Sequence, residues 1–180
     1  MFPIVLTPKY TNILLIGDGE LADKREEQLI EANFSLNRFK ADPPTEHELK
    51  SAHIVYIVDY PEEQAIKIAD LCRSFGTLVN IEDDLPYCDF HTPALVRRGD
   101  LLISISTNGK SPRLAQRIKK RLSLMFPEEW AEKLDRLGKI RLEWRSQGMS
   151  LKQVAQKTDE FLEQEGWLED DYNQKQHRTE

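Results

Sequence analysis

The sequence predicts an α/β fold in which a parallel β-sheet is followed by a helical region. Short apolar segments alternate with amphipathic helical segments up to about residue 106, and two glycine-containing turns directly follow predicted strands. Such alternation is typical of a parallel sheet with helices on both faces, connected by right-handed crossovers. From Pro112 onward only helical patterns occur. We therefore predict a Rossmann-like domain over residues 1–111, a helical dimerisation and C-terminal region over 112–168, and a polar tail over 169–180.

The individual elements follow from apolar spacing and from helix punctuation by proline and glycine. Ala41–Glu48 contains two prolines and predicts a loop with at most one helical turn, whereas Pro93–Arg98 predicts a short strand that ends before Gly99. The remaining strands are expected at Asn12–Ile16, Ser35–Phe39, Ile54–Val58, Leu78–Ile81 and Leu101–Ser106. The helices are expected at Glu20–Ala32, Pro61–Phe75, Pro112–Met125, Pro127–Ser146 and Leu151–Glu165.

Composition excludes several classes of function. The net charge of −6 argues against general nucleic-acid binding, although the stretch from Arg113 to Arg121 is locally basic. No apolar run approaches the roughly 20 residues that a membrane helix requires, and the N-terminus does not resemble a signal peptide. The two cysteines belong to no metal-spaced cluster, which fits a reducing compartment. We therefore expect a cytoplasmic protein with no membrane or nucleic-acid partner.

The first glycine turn fits the pattern G-x-G-x-x-A between a strand and a helix. In such a turn the first glycine permits tight bending, the second lets the backbone approach a pyrophosphate, and the small final residue permits close packing of the helix on the sheet. An ordinary glycine turn is the alternative. The predicted cofactor-binding residues here are Gly17, Asp18, Gly19, Glu20, Leu21 and Ala22.

The end of the second strand bears on the choice of dinucleotide. An NAD site often has an acidic residue about 20 residues beyond the glycine turn, where it binds the ribose hydroxyls. Here the segment is Asn37-Arg38-Phe39-Lys40, so no acid is present. Arg38 or Lys40 would tolerate a ribose phosphate, and solvated surface cations are the alternative.

Three consecutive acids, Glu82, Asp83 and Asp84, follow the strand Leu78–Ile81. Ligands of open α/β sheets bind at the carboxyl ends of the strands, and clustered acids raise one another's pKa, which favours a general base near neutral pH. The same acids would attract a divalent cation. A solvated acidic loop is the alternative. Cys88 and His91 lie just beyond, and without a second ligand pair their spacing is more often incidental than metal-binding.

The second turn places hydroxyls, a glycine and a Ser-Pro helix start at one strand end. Unpaired helix N–H groups and the helix dipole favour an anion there. Arg97 and Arg98 precede this region, and arginine suits carboxylates because its donors form a planar fork. Exposed turn cations are the alternative. The predicted substrate-binding residues are Ser106, Thr107, Asn108, Gly109, Lys110, Ser111, Arg97 and Arg113.

The segment from Asn80 to Arg121 resembles the N-terminal module of siroheme synthase, the precorrin-2 dehydrogenase/sirohydrochlorin ferrochelatase family. The similarity consists of an N-x-x-D-D turn, C-D-F, P-A-x-x-R-R-G and I-S-T-x-G-x-S-P-x-L-A, all present here in order. The turn at Gly17–Ala22 also fits the family's G-G-G-x-x-A-x-x-K pattern. The resemblance extends over roughly the whole chain and is strongest in its second half.

This resemblance implies NAD-dependent oxidation of precorrin-2 to sirohydrochlorin, with insertion of Fe²⁺ as a second activity of many members. It places the family's proposed general base and metal-related residue at Asp83, and the tetrapyrrole near Ser106 or Thr107. The helical tail fits the family's dimerisation region, and the wide apolar faces of Pro112–Phe126 and Trp130–Trp144 predict a homodimer built through it. Lys110 and Arg113 join Arg97 and Arg98 as candidates for binding the carboxylates of the substrate.

The first half departs from the family pattern. The stretch before Ile54 is short and proline-rich, the middle glycine of G-G-G is Asp18, and the family's A-T-D-D is Ile57-Val58-Asp59-Tyr60. Asp59 nevertheless falls on the expected cofactor-binding side. Two alternatives therefore stay open: a non-catalytic member that binds a tetrapyrrole or a metal, and an NADP-linked reductase of another substrate.

Overall fold

The computed structural model describes residues 2–168 and divides them into two compact units. The first unit contains residues 2–93 and 108–110, and the second contains residues 94–107 and 111–168. This division differs from the single boundary predicted near Ser111, because the segment 94–107 groups with the C-terminal helices. The tail predicted over residues 169–180 lies outside the described residues.

The first unit is built on a four-stranded parallel sheet, which confirms the predicted fold class. The strands are β1 (Ile13–Ile16), β2 (Leu36–Phe39), β3 (Ile54–Ile57) and β4 (Leu78–Ile81), in the spatial order β2-β1-β3-β4. The helices between them are α1 (Glu20–Glu31), α2 (Glu46–Ser51) and α3 (Glu62–Phe75). Each lies within a residue or two of its predicted position except α2.

Two apolar clusters cover the two faces of this sheet. Leu14, Ile16, Val55 and Ile57 pack with residues of α2 and α3, and the alternate strand residues pack with Ala22 and Leu29 of α1. Successive strand side chains point to opposite faces, so strands covered on both sides are continuously apolar. The burial of all four residues in both β1 and β3 reflects this arrangement.

Helix α2 is longer than the single turn predicted at Ala41–Glu48. Thr45 caps it: the Thr45 hydroxyl accepts from the Glu48 N–H, while the Glu48 carboxylate accepts from the Thr45 N–H. This reciprocal capping box was visible in the sequence as T-x-x-E after the two prolines. The hydrogen bonds from Thr45 hold the pKa of Glu48 below its usual value.

The outer edge of β4 is covered by Asp89 instead of by another strand. The Asp89 carboxylate accepts from the Val79 N–H at 2.9 Å, and the Asp89 N–H donates to the Val79 carbonyl at 2.8 Å. Arg73 of α3 donates to the other Asp89 oxygen at 3.0 Å. Both hydrogen-bonding groups of Val79 on this edge are therefore satisfied within the unit.

The last predicted strand does not belong to the parallel sheet. In the second unit β5 (Ala94–Arg98) and β6 (Leu101–Ile105) form a separate antiparallel hairpin. The physical reason is the connection: only Gly99 and Asp100 separate the strands, and Gly99 has a φ of +56°. Two residues suffice for a hairpin, whereas a parallel neighbour needs a crossover of a dozen or more residues.

Three helices complete the described part of the second unit: α4 (Pro112–Met125), α5 (Trp130–Ser146) and α6 (Leu151–Glu165). Ser111 caps α4, with its hydroxyl accepting from the Leu114 N–H. The helix predicted from Pro127 begins instead at Trp130. Within residues 2–168, no helix is both long and apolar enough to cross a bilayer.

Burial of Cys72 predicts a loss of stability at alkaline pH. Its thiol lies in the core under α3, and burial raises its pKa from 9.0 to about 11. The unfolded chain then ionises before the folded one, so we expect the free energy of unfolding to fall as the pH rises from about 9 to about 11. Urea titrations at several pH values should show a shallower decline in Cys72→Ala. An unchanged decline in that variant would assign it to other groups.

Candidate functional site

The glycine turn lies at the topological switch point of the sheet. The strand that follows β1 along the chain, β2, lies on one side of it, and the next strand, β3, lies on its other side. The carboxyl ends of β1 and β3, Gly17–Gly19 and Val58–Asp59, therefore flank the crevice where ligands of such sheets bind. The Gly17 N–H donates to the Phe39 carbonyl, and the Val58 N–H donates to the Ile16 carbonyl.

Gly17 is required by the close approach of the backbone after β3. Its φ is +140°, and a Cβ added there would lie 1.6 Å from the carbonyl oxygen of Val58. A backbone carbonyl cannot move aside as the end of a side chain can. The first glycine of the turn thus serves the packing of two adjacent strand ends.

Gly19 precedes α1, and the carboxylate of Asp59 caps that helix. Asp59 Oδ2 accepts from the Leu21 N–H at 3.0 Å and from the Ala22 N–H at 3.2 Å. A Cβ on Gly19 would lie 2.4 Å from the same oxygen. The structure thus brings Asp59 to the predicted cofactor turn. Because these two donors hold a carboxylate, they also fit a phosphate oxygen of a dinucleotide.

Arg38 is not the solvated surface cation considered from the sequence. Its side chain is 9% exposed and is held by Asp23 at 2.7 Å and Glu26 at 2.6 Å, while its Nε donates to the Gly17 carbonyl. Burial lowers the pKa of Arg38, but these two carboxylates outweigh it and raise the pKa above its usual value. Lys40 is exposed and lies 3.4 Å from Asp18.

The three acids after β4 are in different environments. The Glu82 carboxylate accepts from Arg25 at 2.6 Å, and the Arg25 guanidinium lies over the ring of Tyr56. Asp83 is exposed in a left-handed conformation with a φ of +62°, and Asp84 is half-buried. Within residues 2–168 the Asp83 carboxylate has no hydrogen-bond or ion-pair partner. Of the three, Asp83 is therefore the most accessible to a ligand.

Contacts of the C-D-F segment, Cys88-Asp89-Phe90, fix the conformation of the turn after β4. The Cys88 thiol donates to the Ile81 carbonyl at 3.1 Å, and the Asn80 amide donates to the Phe90 carbonyl at 2.9 Å. The Phe90 ring packs edge-on against Tyr56. Burial raises the pKa of the Cys88 thiol, so it is protonated near neutral pH. Among the described residues, no group of three or more His, Cys, Asp or Glu side chains is placed to hold a metal ion.

The second turn is divided between the two units. Ser106, Thr107, Ser111 and Arg113 group with the second unit, and Asn108, Gly109 and Lys110 group with the first. The Ser111 N–H donates to the Thr107 hydroxyl at 3.1 Å. The strand before this turn, β6, pairs antiparallel with β5 and is not the parallel strand of the main sheet that the sequence predicted.

The candidate cations near this turn differ in accessibility. Arg97, Lys110 and Arg113 are exposed. Arg98 is not available to a substrate, because it donates to the carbonyls of Phe126 and Ser123 and pairs with Glu128. It satisfies carbonyls at the C-terminal end of α4, which cations stabilise. The sequence did not distinguish Arg98 from its neighbour.

A glycine turn at a switch point, beside α1 donors that hold the Asp59 carboxylate, is typical of a dinucleotide-binding domain. The family model described as "Putative NAD(P)-binding" matches residues 4–94. The chain belongs to this NAD(P)-binding family. A second model, "Sirohaem biosynthesis protein central", matches residues 98–123.

Curated relatives confirm the resemblance to the siroheme synthase module. A protein called siroheme synthase from Psychrobacter sp. (strain PRwf-1) is 28% identical over 166 residues, covering 81% of this chain and 34% of the relative. The siroheme synthase of Nitrosococcus oceani is 30% identical over 127 residues, covering 71% of this chain and 24% of the relative. The chain therefore spans about a third or less of the length of these relatives.

A solved structure has the same fold. It is named SirC, precorrin-2 dehydrogenase, and superposes with a TM-score of 0.71 at 19% identity, covering 96% of this chain and 92% of the other. At this identity the similarity establishes the fold.

Proposed function

We propose that this protein is a precorrin-2 dehydrogenase, which oxidises precorrin-2 to sirohydrochlorin with NAD in siroheme biosynthesis. The observation that carries the proposal is the Gly17–Ala22 turn at the switch point, where the Leu21 and Ala22 N–H groups converge on one anionic acceptor, at present the carboxylate of Asp59. The names and the fold of its relatives support the choice of substrate. When bound, NAD accepts the hydride that leaves the macrocycle.

NAD is the proposed cofactor because the end of β2 is poorly suited to an extra phosphate. Arg38 is already bound by Asp23 and Glu26, and Lys40 lies beside Asp18. Three carboxylates and two cations leave this region net negative, which opposes the 2′-phosphate of NADP. Calorimetric titration with each dinucleotide tests this preference, and tighter binding of NADP would support the reductase alternative.

Asp83 is the proposed base that takes the proton released during oxidation. It is the accessible acid at the carboxyl end of β4, while Glu82 is neutralised by Arg25. Asp83 is also the proposed metal-related residue for a chelatase activity in which Fe²⁺ is a substrate. Arg97, Lys110 and Arg113, together with the Ser106–Ser111 turn, are proposed to bind the carboxylates of the tetrapyrrole. The proposed compartment is the cytoplasm, in keeping with two free cysteines.

Anaerobic incubation with precorrin-2 tests the activity directly. With NAD present, we expect the absorbance of sirohydrochlorin to appear together with that of NADH. Omission of NAD is the control for spontaneous oxidation. Subsequent addition of Fe²⁺ tests for chelatase activity, which would convert the product to siroheme. A rate equal to that without protein would contradict the proposal.

One observation favours a second candidate, a non-catalytic tetrapyrrole-binding member. The carboxylate of Asp59 occupies the donors that a pyrophosphate would use. If the protein binds sirohydrochlorin tightly but never binds NAD, this second candidate is correct.

We further propose a homodimer formed through the second unit. Leu124, Leu142 and Leu151, one on each helix of this unit, are 77%, 71% and 72% exposed, and exposed apolar surface of this kind favours an interface. We expect light scattering to give twice the chain mass of 21.0 kDa at micromolar concentration. Leu124→Lys should weaken the dimer without unfolding the chain, since this side chain is exposed. A wild-type protein that stays at the monomer mass would contradict the proposal.

A further inference from the structure

The carboxylate of Asp59 and a dinucleotide pyrophosphate need the same hydrogen-bond donors. Asp59 Oδ2 accepts from both the Leu21 and the Ala22 N–H groups, at 3.0 and 3.2 Å. These are among the first N–H groups of α1, which have no partner inside the helix. Two anions cannot share these N–H groups, because each donor would have two competing acceptors and the like charges would repel each other.

The surroundings of Asp59 allow its side chain to leave. Val58 is buried and its carbonyl abuts Gly17, so the backbone there is fixed, but Asp59 itself is exposed. A rotation of the side chain would therefore transfer the carboxylate to solvent without moving β3. Gly19, whose added Cβ would lie 2.4 Å from Oδ2, leaves space for the carboxylate in its present position.

A second group at this turn is suited to an anion. The Arg38 guanidinium contacts the turn through the Gly17 carbonyl, and its side chain is nine-tenths buried. Its Nη2 has no hydrogen-bond partner, with the Asp18 carboxylate at 3.5 Å as its nearest ion-pair neighbour. The turn therefore has, beside the α1 N–H groups, a buried donor that an anion could use, although Asp18, Asp23 and Glu26 offset the charge of Arg38.

We propose that Asp59 is an internal competitor for the dinucleotide: its carboxylate occupies the pyrophosphate position, and NAD binds only when this side chain leaves. The inference rests on the proposed function. It makes Asp59 a residue that sets the affinity for NAD by opposing its binding. The apparent affinity for NAD is the intrinsic affinity of the turn multiplied by the fraction of molecules in which Asp59 has left it.

Two variants test the proposal, because each should lower the stability of the protein while raising its affinity for NAD. Asp59→Asn removes the charge and tolerates the left-handed φ of +50°, and Asp59→Gly also removes the side chain. We expect both to bind NAD roughly tenfold or more tightly in calorimetry, because a charge-assisted bond no longer has to be broken. We expect both to have a lower thermal midpoint, because α1 loses its cap.

Glu27→Gln is the matched control, since it removes one negative charge from an exposed position on the same helix. It should leave NAD affinity and the thermal midpoint unchanged. The wild-type protein provides a measurement that does not depend on a variant folding. In NMR spectra, saturation with NAD should shift the amide resonances of Leu21 and Ala22 and the side-chain carboxyl resonance of Asp59.

The outcomes separate the inference from the proposed function. If wild type binds NAD and both variants bind no more tightly, or if the Asp59 carboxyl resonance does not change on saturation, the inference is wrong and the dehydrogenase proposal stands. If neither wild type nor any variant binds NAD, both are wrong. If only the variants bind, Asp59 blocks the site completely, which supports the inference and favours the non-catalytic candidate for the wild-type protein.

Discussion

Gly17→Ala should unfold or severely destabilise the first unit. The new methyl group would lie 1.6 Å from the carbonyl oxygen of Val58, which is backbone at the end of a buried central strand. Relief requires β1 and β3 to separate, which would disturb the core on both faces of the sheet. We expect a loss of at least about 3 kcal/mol in the free energy of unfolding, measured by urea denaturation.

Gly76→Ala is the matched control in the same unit. Gly76 ends α3 with a φ of +78°, but a Cβ there would meet nothing within 4 Å. That substitution isolates the cost of a left-handed backbone for alanine, about 1–2 kcal/mol. Similar losses in the two variants would show that the approach of Val58 to Gly17 contributes nothing beyond backbone conformation.

Asp83→Ala should abolish most dehydrogenase activity while NAD still binds. A positioned general base contributes about 10²–10⁴ in rate, and Asp83 is the accessible acid at the carboxyl end of β4. The measurement is the initial rate of sirohydrochlorin formation, with NAD affinity determined separately. Asp83→Asn should be equally slow, and because asparagine tolerates the left-handed turn it excludes a conformational cause.

Asp84→Ala is the comparison for this second prediction. The Asp84 backbone carbonyl accepts from the Tyr87 N–H, and this bond survives loss of the side chain. We expect its rate to fall much less than that of Asp83→Ala. Near-normal rates in both variants would show that the acidic segment is a solvated loop without a catalytic role.

The sequence predicted the parallel sheet well because its signals are local. The apolar runs of β1 and β3 and the glycine turn each lie within a few residues, and they fix strand positions and the switch point. The hairpin of β5 and β6 was missed as a separate sheet because alternation predicts strands, not their partners. The short Gly99-Asp100 connection was the available signal.

The site was predicted less completely because its decisive contacts are distant in sequence. Asp59 reaches α1 across 37 and 38 positions, and Arg25 reaches Glu82 across 57. No spacing rule links such pairs. The paired arginines at the end of β5 show the same limit: adjacent in sequence, Arg97 is exposed while Arg98 caps α4.

The contact between Asp89 and Val79 also decides where the sheet stops. An open edge strand presents unpaired N–H and C=O groups, which can recruit a strand from another molecule and begin aggregation. Here the Asp89 carboxylate and the Asp89 N–H form the two hydrogen bonds that a residue of a neighbouring strand would form with Val79. Arg73 fixes the position of that carboxylate. Asp89 of the C-D-F segment thus protects the protein against self-association through β4. The effect of Asp89→Ala should therefore be measured on the solubility of the protein as well as on its activity.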